Sequence, residues 1–196
     1  MEKTDKREQI MEAAIRRFAH FGVQKTTLTE IADDLGMTKQ SLMYYFTDKQ
    51  SIAAAVETMI LDEFFSMVKE NLSKTNGLEE ALFSLVETKR VFVEKYSMLM
   101  HAAKNEGVQN QFHQSESHKK FRERMTAILI EELNHAMLNG EIKSANTNEI
   151  ANVVFDTITA YEQCVVNKQV VPDLKEFDQL CERQRAVISL MVNGLK

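Results

Sequence analysis

The 196-residue sequence predicts an all-α protein. The chain has one proline and six glycines, too few for the frequent turns of a β-sandwich or barrel. Long stretches are rich in Ala, Glu, Leu, Lys and Met, which favour helices, and their apolar side chains recur at helical spacing.

The first fifty residues predict three short helices with defined ends. The first covers about residues 5–21 and stops at Gly22. A capping box that begins at Thr27 opens the second, and Gly36 ends it. Thr38 caps the third helix.

Longer helices with wide apolar faces follow, and the first of them is capped by Thr47 or Asp48. Their predicted spans are about 49–72, 78–95, 96–104, 119–138, 147–168 and 173–194. Pro172 is expected to join the last two helices. This change from short to long helices predicts two domains, residues 1–50 and residues 51–196.

Charge is distributed unevenly between these two parts. Residues 1–50 carry eight basic and eight acidic residues, so the whole net charge of −5 lies after residue 50. A neutral N-terminal part and an acidic remainder suit a small domain that binds anions, attached to a larger domain whose negative charge repels them.

The cysteines and the N-terminus indicate the compartment. Cys164 and Cys181 form no spaced pattern, so we interpret them as core thiols in a reducing environment. The charged start MEKTDKREQ is unlike a signal peptide, and no apolar run is long enough to cross a bilayer. These observations predict a soluble cytoplasmic protein that does not insert into a membrane.

Residues 28–46 contain two short apolar periods on either side of Gly36, which is the helix-turn-helix pattern. If Leu42 and Phe46 point into a core, Gln40 and Tyr44 face the opposite way. A short helix with exposed polar side chains fits the major groove of DNA, where Gln40 could pair with adenine. An ordinary helical hairpin with a solvated face is the alternative.

Residues 7–56 resemble the DNA-binding domain of the TetR (tetracycline-repressor) family. The resemblance lies in Ala14-x-x-x-Phe18-x-x-x-Gly22, in Thr27-x-x-x-Ile31-Ala32-x-x-x-Gly36, and in Thr38-Lys39, Leu42, Tyr44-Tyr45-Phe46 and Lys49. It implies a three-helix helix-turn-helix domain followed by a helical ligand-binding and dimerisation domain. The implied function is a ligand-responsive transcriptional repressor that binds a near-palindromic double-stranded DNA operator as a homodimer.

The resemblance also implies which residues contact DNA. Two positions depart from the family's pattern: Met43 stands where an aromatic residue is usual, and Gln40 where glycine or proline is common. Met43 lacks a phenolic hydroxyl but can contact a thymine methyl group, whereas Gln40 gains an amide that can read a base. Lys39, Gln40 and Ser41 are predicted to contact bases or nearby phosphates, and Met43 a thymine methyl group. The predicted DNA-backbone contacts are Thr27, Thr38, Tyr44, Tyr45 and Lys49.

The last two predicted helices are apolar on more than one face, so they are expected to pack within the subunit and against a second copy. Leu180, Val187 and Leu190 form a second apolar row on the last helix. The residues predicted at the dimer interface are Ile150, Val154, Ile158, Tyr161, Phe177, Cys181, Gln184, Ile188 and Met191.

A pocket for a small, largely apolar effector is expected among the central helices, where aromatic and methionine side chains are frequent. For each of these side chains, a place in the plain hydrophobic core is the alternative, and the one that the sequence favours. The residues predicted to line this pocket are Phe64, Phe83, Phe92, Tyr96, Met100, His101, Phe121, Met125 and Phe155.

Two other functional classes remain as alternatives. Glu132 and His135 have the Glu-x-x-His spacing of di-iron helical bundles, but that chemistry needs a second such pair and two more glutamates. The second alternative is a helical ligand carrier that does not bind DNA. We predict no catalytic site, no metal site and no cofactor.

Overall fold

The computed structural model describes residues 2–106, 116–166 and 174–196. All regular secondary structure in these residues is helical, which confirms the predicted all-α class. The helices are α1 (Glu2–Phe21), α2 (Leu28–Asp34), α3 (Lys39–Met43), α4 (Lys49–Leu72), α5 (Leu78–Asn105), α6 (Glu116–Leu138), α7 (Thr147–Val166) and α8 (Leu174–Leu195).

Helix α1 begins at Glu2, three residues before its predicted start, whereas the predicted boundaries at Gly22, Thr27, Gly36 and Thr38 are confirmed. Thr27 forms a capping box with Glu30, because its side chain accepts from the Glu30 amide and its own amide donates to the Glu30 carboxylate. Thr38 Oγ1 accepts from Ser41 N over 3.1 Å and so caps α3. Gly36, which ends α2, has a φ of +61°, a value that L side chains rarely adopt.

Two predicted features of the central part are wrong. The spans 78–95 and 96–104 are one continuous helix, α5, and no glycine or proline interrupts it. Helix α6 begins at Glu116, three residues before the predicted start. Pro172, at the predicted junction of the last two helices, lies outside the described residues.

The chain divides into two compact units. The first unit is Met1–Glu63 with Tyr96–Gln111, and the second unit is Phe64–Lys95 with Phe112–Lys196. The predicted boundary at residue 50 remains a prediction. The buried core of the first unit consists of Ile10, Ala13, Ala14, Phe18, Ile31, Ala32, Leu42, Phe46, Ile52 and Val56.

The second unit is held together by aromatic packing and by ion pairs between its helices. Arg122 on α6 pairs with Asp156 on α7, and Arg185 on α8 pairs with Glu87 on α5 over 2.9 Å. Cys181 is buried and unpaired, as predicted, and its burial raises the thiol pKa to about 11. In the described part of the chain, no helix is long and apolar enough to cross a membrane.

Most of the residues predicted at the dimer interface lie inside the chain itself. Val154, Phe177, Cys181, Gln184 and Ile188 are buried by the second unit's own side chains, so they offer little surface to a partner. This corrects the sequence prediction, which chose inward-facing residues of α7 and α8. Ile150, Ile158 and Met191 are half-buried, and the side chain of Tyr161 lies outside the described residues.

Apolar side chains remain exposed on the same two helices. Val153 on α7 is 50% exposed and Leu190 on α8 is 74% exposed. Of the row noted in the sequence, Val187 is half-buried and Leu180 is buried.

Candidate nucleic-acid interface

Helix α3 lies with one face in the core and the other in solvent. Leu42 is fully buried and Phe46 is 3% exposed, whereas Tyr44 is 71% exposed and Gln40 is also exposed. The predicted orientation of the helix is confirmed. Contact of Gln40 with a base remains a prediction, as do the contacts of Lys39 and Ser41, which are also exposed.

Helix α2 is fixed to α1 by a two-pronged ion pair. Arg17 Nε and Nη2 donate to the two carboxylate oxygens of Asp34 over 2.7 and 2.6 Å. The hydrogen bond from Arg17 lowers the pKa of Asp34, and the hydrogen bonds from Thr27 lower the pKa of Glu30. Both carboxylates are therefore ionised at neutral pH. Asp34 fixes α2 to α1, and Glu30 completes the capping box that opens α2.

Thr27 and Thr38, both predicted to contact the DNA backbone, differ in the hydrogen bonds that their side chains already make. Thr27 uses both its hydroxyl and its amide on the Glu30 carboxylate, each over 2.8 Å. A phosphate contact at Thr27 therefore requires one of these donors to leave Glu30. The hydroxyl of Thr38 lies 2.9 Å from that of Ser41, and both side chains are exposed.

The tyrosine pair at the end of α3 has an inner and an outer member. Tyr45 is half-buried against the core of the first unit, and its ring meets the ring of Tyr44 edge-on at 5.3 Å. Tyr44 projects into solvent beside Met43, which is also exposed. Tyr44 and Met43 therefore extend the exposed surface that begins at Gln40.

Lys49 is more constrained than its predicted role at the surface suggests. Its ammonium group donates to the carbonyl oxygens of Gln24 and Thr26 over 2.9 and 2.8 Å, and the side chain is half-buried. An ammonium group has three N–H donors, so one remains for a phosphate. Its DNA contact stays a prediction, but Lys49 also braces the turn between α1 and α2.

Sequence reasoning missed two residues of this region. Arg7 Nη1 donates to the Tyr45 carbonyl over 3.1 Å, and its guanidinium lies 4.2 Å above the ring of Phe46. Glu106 accepts hydrogen bonds from the amides of Val23 and Gln24. These contacts join residues 38 to 83 positions apart, and no local pattern indicates them.

The residues predicted to hold an effector fall in both units, and their role stays a prediction. Phe64 lies at the centre of a packed aromatic cluster, with ring distances of 5.0 Å to Phe92 and 5.6 Å to Phe121, and Phe121 reaches Phe155 at 6.4 Å. Buried Met125 also lies in the second unit. By contrast, Tyr96, Met100 and His101 belong to the first unit, where Tyr96 donates to Glu63 and the other two are exposed.

The second unit has a cavity of about 690 Å³ beside α4 and α6 and another of about 400 Å³. Of the nine residues predicted to hold an effector, all of them described by the structure, only Phe83 lines either one. The larger cavity combines apolar Phe65 and Leu72 with charged Arg124 and Glu132. Its size falls within the range of small-molecule pockets, about 300–1,000 Å³.

The alternative of a metal enzyme gains nothing from this region. Glu132 and His135 both line the larger cavity, but no group of three or more His, Cys, Asp or Glu side chains is placed to hold a metal within the described ranges. Burial raises the pKa of the Glu132 carboxyl group, and the electrostatic interaction with His135 partly counteracts this rise.

Comparison with known proteins decides the family. Residues 10–56, which contain α2, α3 and most of α1, match the family model of the bacterial regulatory proteins of the tetR family. Residues 10–56 belong to the tetR family. The match covers the predicted DNA contacts from Thr27 to Lys49 and confirms the resemblance seen in the sequence.

Known regulator proteins resemble this chain over different lengths. The transcriptional regulator RutR of Escherichia coli K12 is 32% identical over 88 residues, which are 43% of this chain and 42% of RutR. The chain thus covers less than half of this relative. The fatty acid metabolism regulator protein of Bacillus subtilis 168 is 23% identical over 202 residues, which are 99% of this chain and 97% of that protein.

The fold as a whole is also that of known regulators. The crystal structure of a transcriptional regulator from Cytophaga hutchinsonii superposes with a TM-score of 0.79, covers 97% of this chain and 98% of its own, and is 24% identical. This likeness extends the fold assignment from residues 10–56 to both units.

Proposed function

We propose that the chain is a sequence-specific DNA-binding transcriptional regulator, and that it acts as a ligand-responsive repressor in the cytoplasm. The observation that carries the proposal is the orientation of α3, which buries Leu42 and Phe46 and exposes Lys39, Gln40 and Ser41. A helix so exposed, in a domain of the TetR family, is the element that enters the major groove.

The proposed regulator works as a homodimer. Val153 and Leu190 leave an apolar surface uncovered on α7 and α8, and a second copy of the chain could bury both. Two recognition helices related by twofold symmetry read two half-sites that lie one helical turn or more apart. The operator is therefore a near-palindrome.

The proposed effector is small and largely apolar. Supporting this, the larger cavity has the volume of a ligand pocket and apolar side chains in its wall. A long-chain acyl compound is the first class to test, because the Bacillus subtilis relative is named for fatty acid metabolism. Such a ligand would lower operator affinity by preferring a conformation that binds DNA poorly.

The proposed sequence-specific DNA binding is tested by selecting DNA duplexes from a random pool and footprinting the enriched sequences. We expect an enriched near-palindrome that is protected on both half-sites. Enrichment of no sequence above the starting pool, at low salt where electrostatic binding is strongest, would contradict the proposal.

A thermal-shift series with fatty acids and acyl-CoA esters tests the effector class. A ligand that binds only the folded protein raises the melting temperature as its concentration exceeds Kd. Coenzyme A without an acyl chain is the matched control. Equal shifts with coenzyme A and with its acyl ester would argue against an apolar effector.

A further inference from the structure

The turn between α1 and α2 is held by a carboxylate from a distant part of the chain. Glu106, the residue that follows α5, accepts a hydrogen bond from Val23 N at Oε2 over 3.1 Å and from Gln24 N at Oε1 over 2.7 Å. Two backbone donors of one turn thus meet the two oxygens of one carboxylate. Hydrogen bonds to a charged acceptor of this kind are stronger than neutral ones.

The carbonyl groups of the same turn are held from the other side. Lys49 donates to Gln24 O and Thr26 O, and Thr26 Oγ1 donates to Gly22 O over 2.7 Å. The turn leads directly into Thr27, which caps α2. Its geometry therefore determines where α2 begins.

Gly22 makes the approach of Glu106 possible. Its φ of +83° is a conformation that glycine adopts without strain, and a Cβ at this position would lie 2.3 Å from Glu106 Oε1. Any side chain here would displace the carboxylate from the turn. Gly140 has a similar φ of +73° but nothing within 4 Å of its would-be Cβ, so it provides a matched comparison.

We propose that Glu106 is a positioning residue, which couples the end of α5 to the α1–α2 turn and so sets the placement of α2 and α3 for DNA binding. This inference rests on the proposed function.

The replacement Glu106→Gln separates positioning from charge. The amide keeps one acceptor oxygen but turns its NH₂ group toward one of the two backbone N–H donors, so one hydrogen bond is lost. Loss of a negative charge alone would strengthen DNA binding. The positioning role predicts the opposite sign, an operator affinity weaker by about fivefold or more, which is the lower end of typical coupling between sites.

The affinity measurement uses full-length protein, an operator selected from a random pool, and a temperature at which circular dichroism shows every variant folded. Glu12→Gln is the matched control, since Glu12 is exposed on α1 in the same unit. We expect its affinity to be unchanged or slightly tighter. If Glu106→Gln binds as tightly as wild type and only melts earlier, Glu106 merely stabilises the fold and the proposal is overturned.

A stability comparison tests the contact itself without DNA. We expect Gly22→Ala to lower the melting temperature more than Gly140→Ala, and the excess to disappear when Glu106 is also replaced by Ala. An excess that persists in the Glu106→Ala background would overturn the coupling of the two residues.

The experiments with DNA distinguish the two proposals. If the wild-type protein enriches no duplex, the proposed function fails and the positioning role fails with it. If the wild-type protein binds its operator and Glu106→Gln binds equally well, the positioning role alone is overturned.

Discussion

The ammonium group of Lys49 lies 2.8 Å from the carbonyl oxygen of Thr26 and 2.9 Å from that of Gln24. These contacts fix the start of α4 to the turn that precedes α2. A residue expected from the family resemblance to bind phosphate thus also closes the fold of the DNA-binding region.

Replacing Lys49 should therefore cost stability as well as affinity. Two charge-assisted hydrogen bonds at a half-buried site suggest that Lys49→Ala lowers the free energy of unfolding by about 1 kcal/mol, less than for a fully buried pair because solvent can replace part of the contact. Urea unfolding at neutral pH measures the change. Lys25→Ala, at an exposed position of the same turn, should change it by less than about 0.5 kcal/mol. Equal effects of the two replacements would show that Lys49 does not brace the turn.

Leu190 allows a direct test of the dimer. The wild-type protein should have twice its chain mass of 22.5 kDa by light scattering. Leu190→Glu places a charge on the exposed apolar surface of α8 and should give a monomer, because an unpaired charge is costly to bury. Leu138→Glu changes another leucine, 83% exposed at the end of α6, and should leave the mass unchanged. A Leu190→Glu protein that stays dimeric would place the interface elsewhere.

The carboxylate of Asp34 should make stability fall in acid. Its hydrogen bond from Arg17 lowers its pKa below the ordinary value of 3.8. The contribution to stability is present above about pH 4 and is lost as the pH falls through the folded pKa. Asp34→Asn should thus lower the unfolding free energy at pH 7 and converge with wild type in acid. Asp33→Asn, at the exposed neighbouring position, is the control and should show no such convergence.

The ionised carboxylate of Glu132 should affect stability in the opposite direction from that of Asp34. Burial raises its pKa above the ordinary value of 4.5, so the folded protein binds this proton more tightly than the unfolded chain does. Ionised Glu132 therefore costs stability at neutral pH, and the cost fades as the pH falls to about 4. Glu132→Gln should stabilise the protein at pH 7 and lose that advantage in acid. Glu123→Gln, exposed on the same helix, should not, and a gain that does not depend on pH would contradict this explanation.

Local features of this fold were predictable from the sequence, because they are decided within a few residues. Thr27, Thr38 and Gly36 define helix ends through hydrogen bonds and backbone angles that involve only their near neighbours. The exposed face of α3 followed in the same way from the spacing of Leu42 and Phe46.

Features that depend on distant residues were not predictable. The contact of Glu106 with Gln24 joins positions 82 residues apart, and neither residue belongs to a recognisable motif. Helix α8 carries apolar side chains on two sides, and its sequence does not show which side faces the subunit's own core. Ile188 was therefore assigned to a partner, although it is fully buried within the chain.

The central claim, that α3 reads DNA sequence, is tested most directly through Gln40. Its exposed amide can pair with a base edge, so Gln40→Ala should cost about 1–3 kcal/mol of operator affinity, at one base position in each half-site. Fluorescence anisotropy on the selected operator and on a scrambled duplex, at several salt concentrations, measures the change. Gln179→Ala, exposed on α8, is the control. We predict that Gln40→Ala weakens binding to the operator alone and leaves the salt dependence unchanged. Equal loss of affinity for both duplexes, or no loss for either, would contradict base reading by this helix.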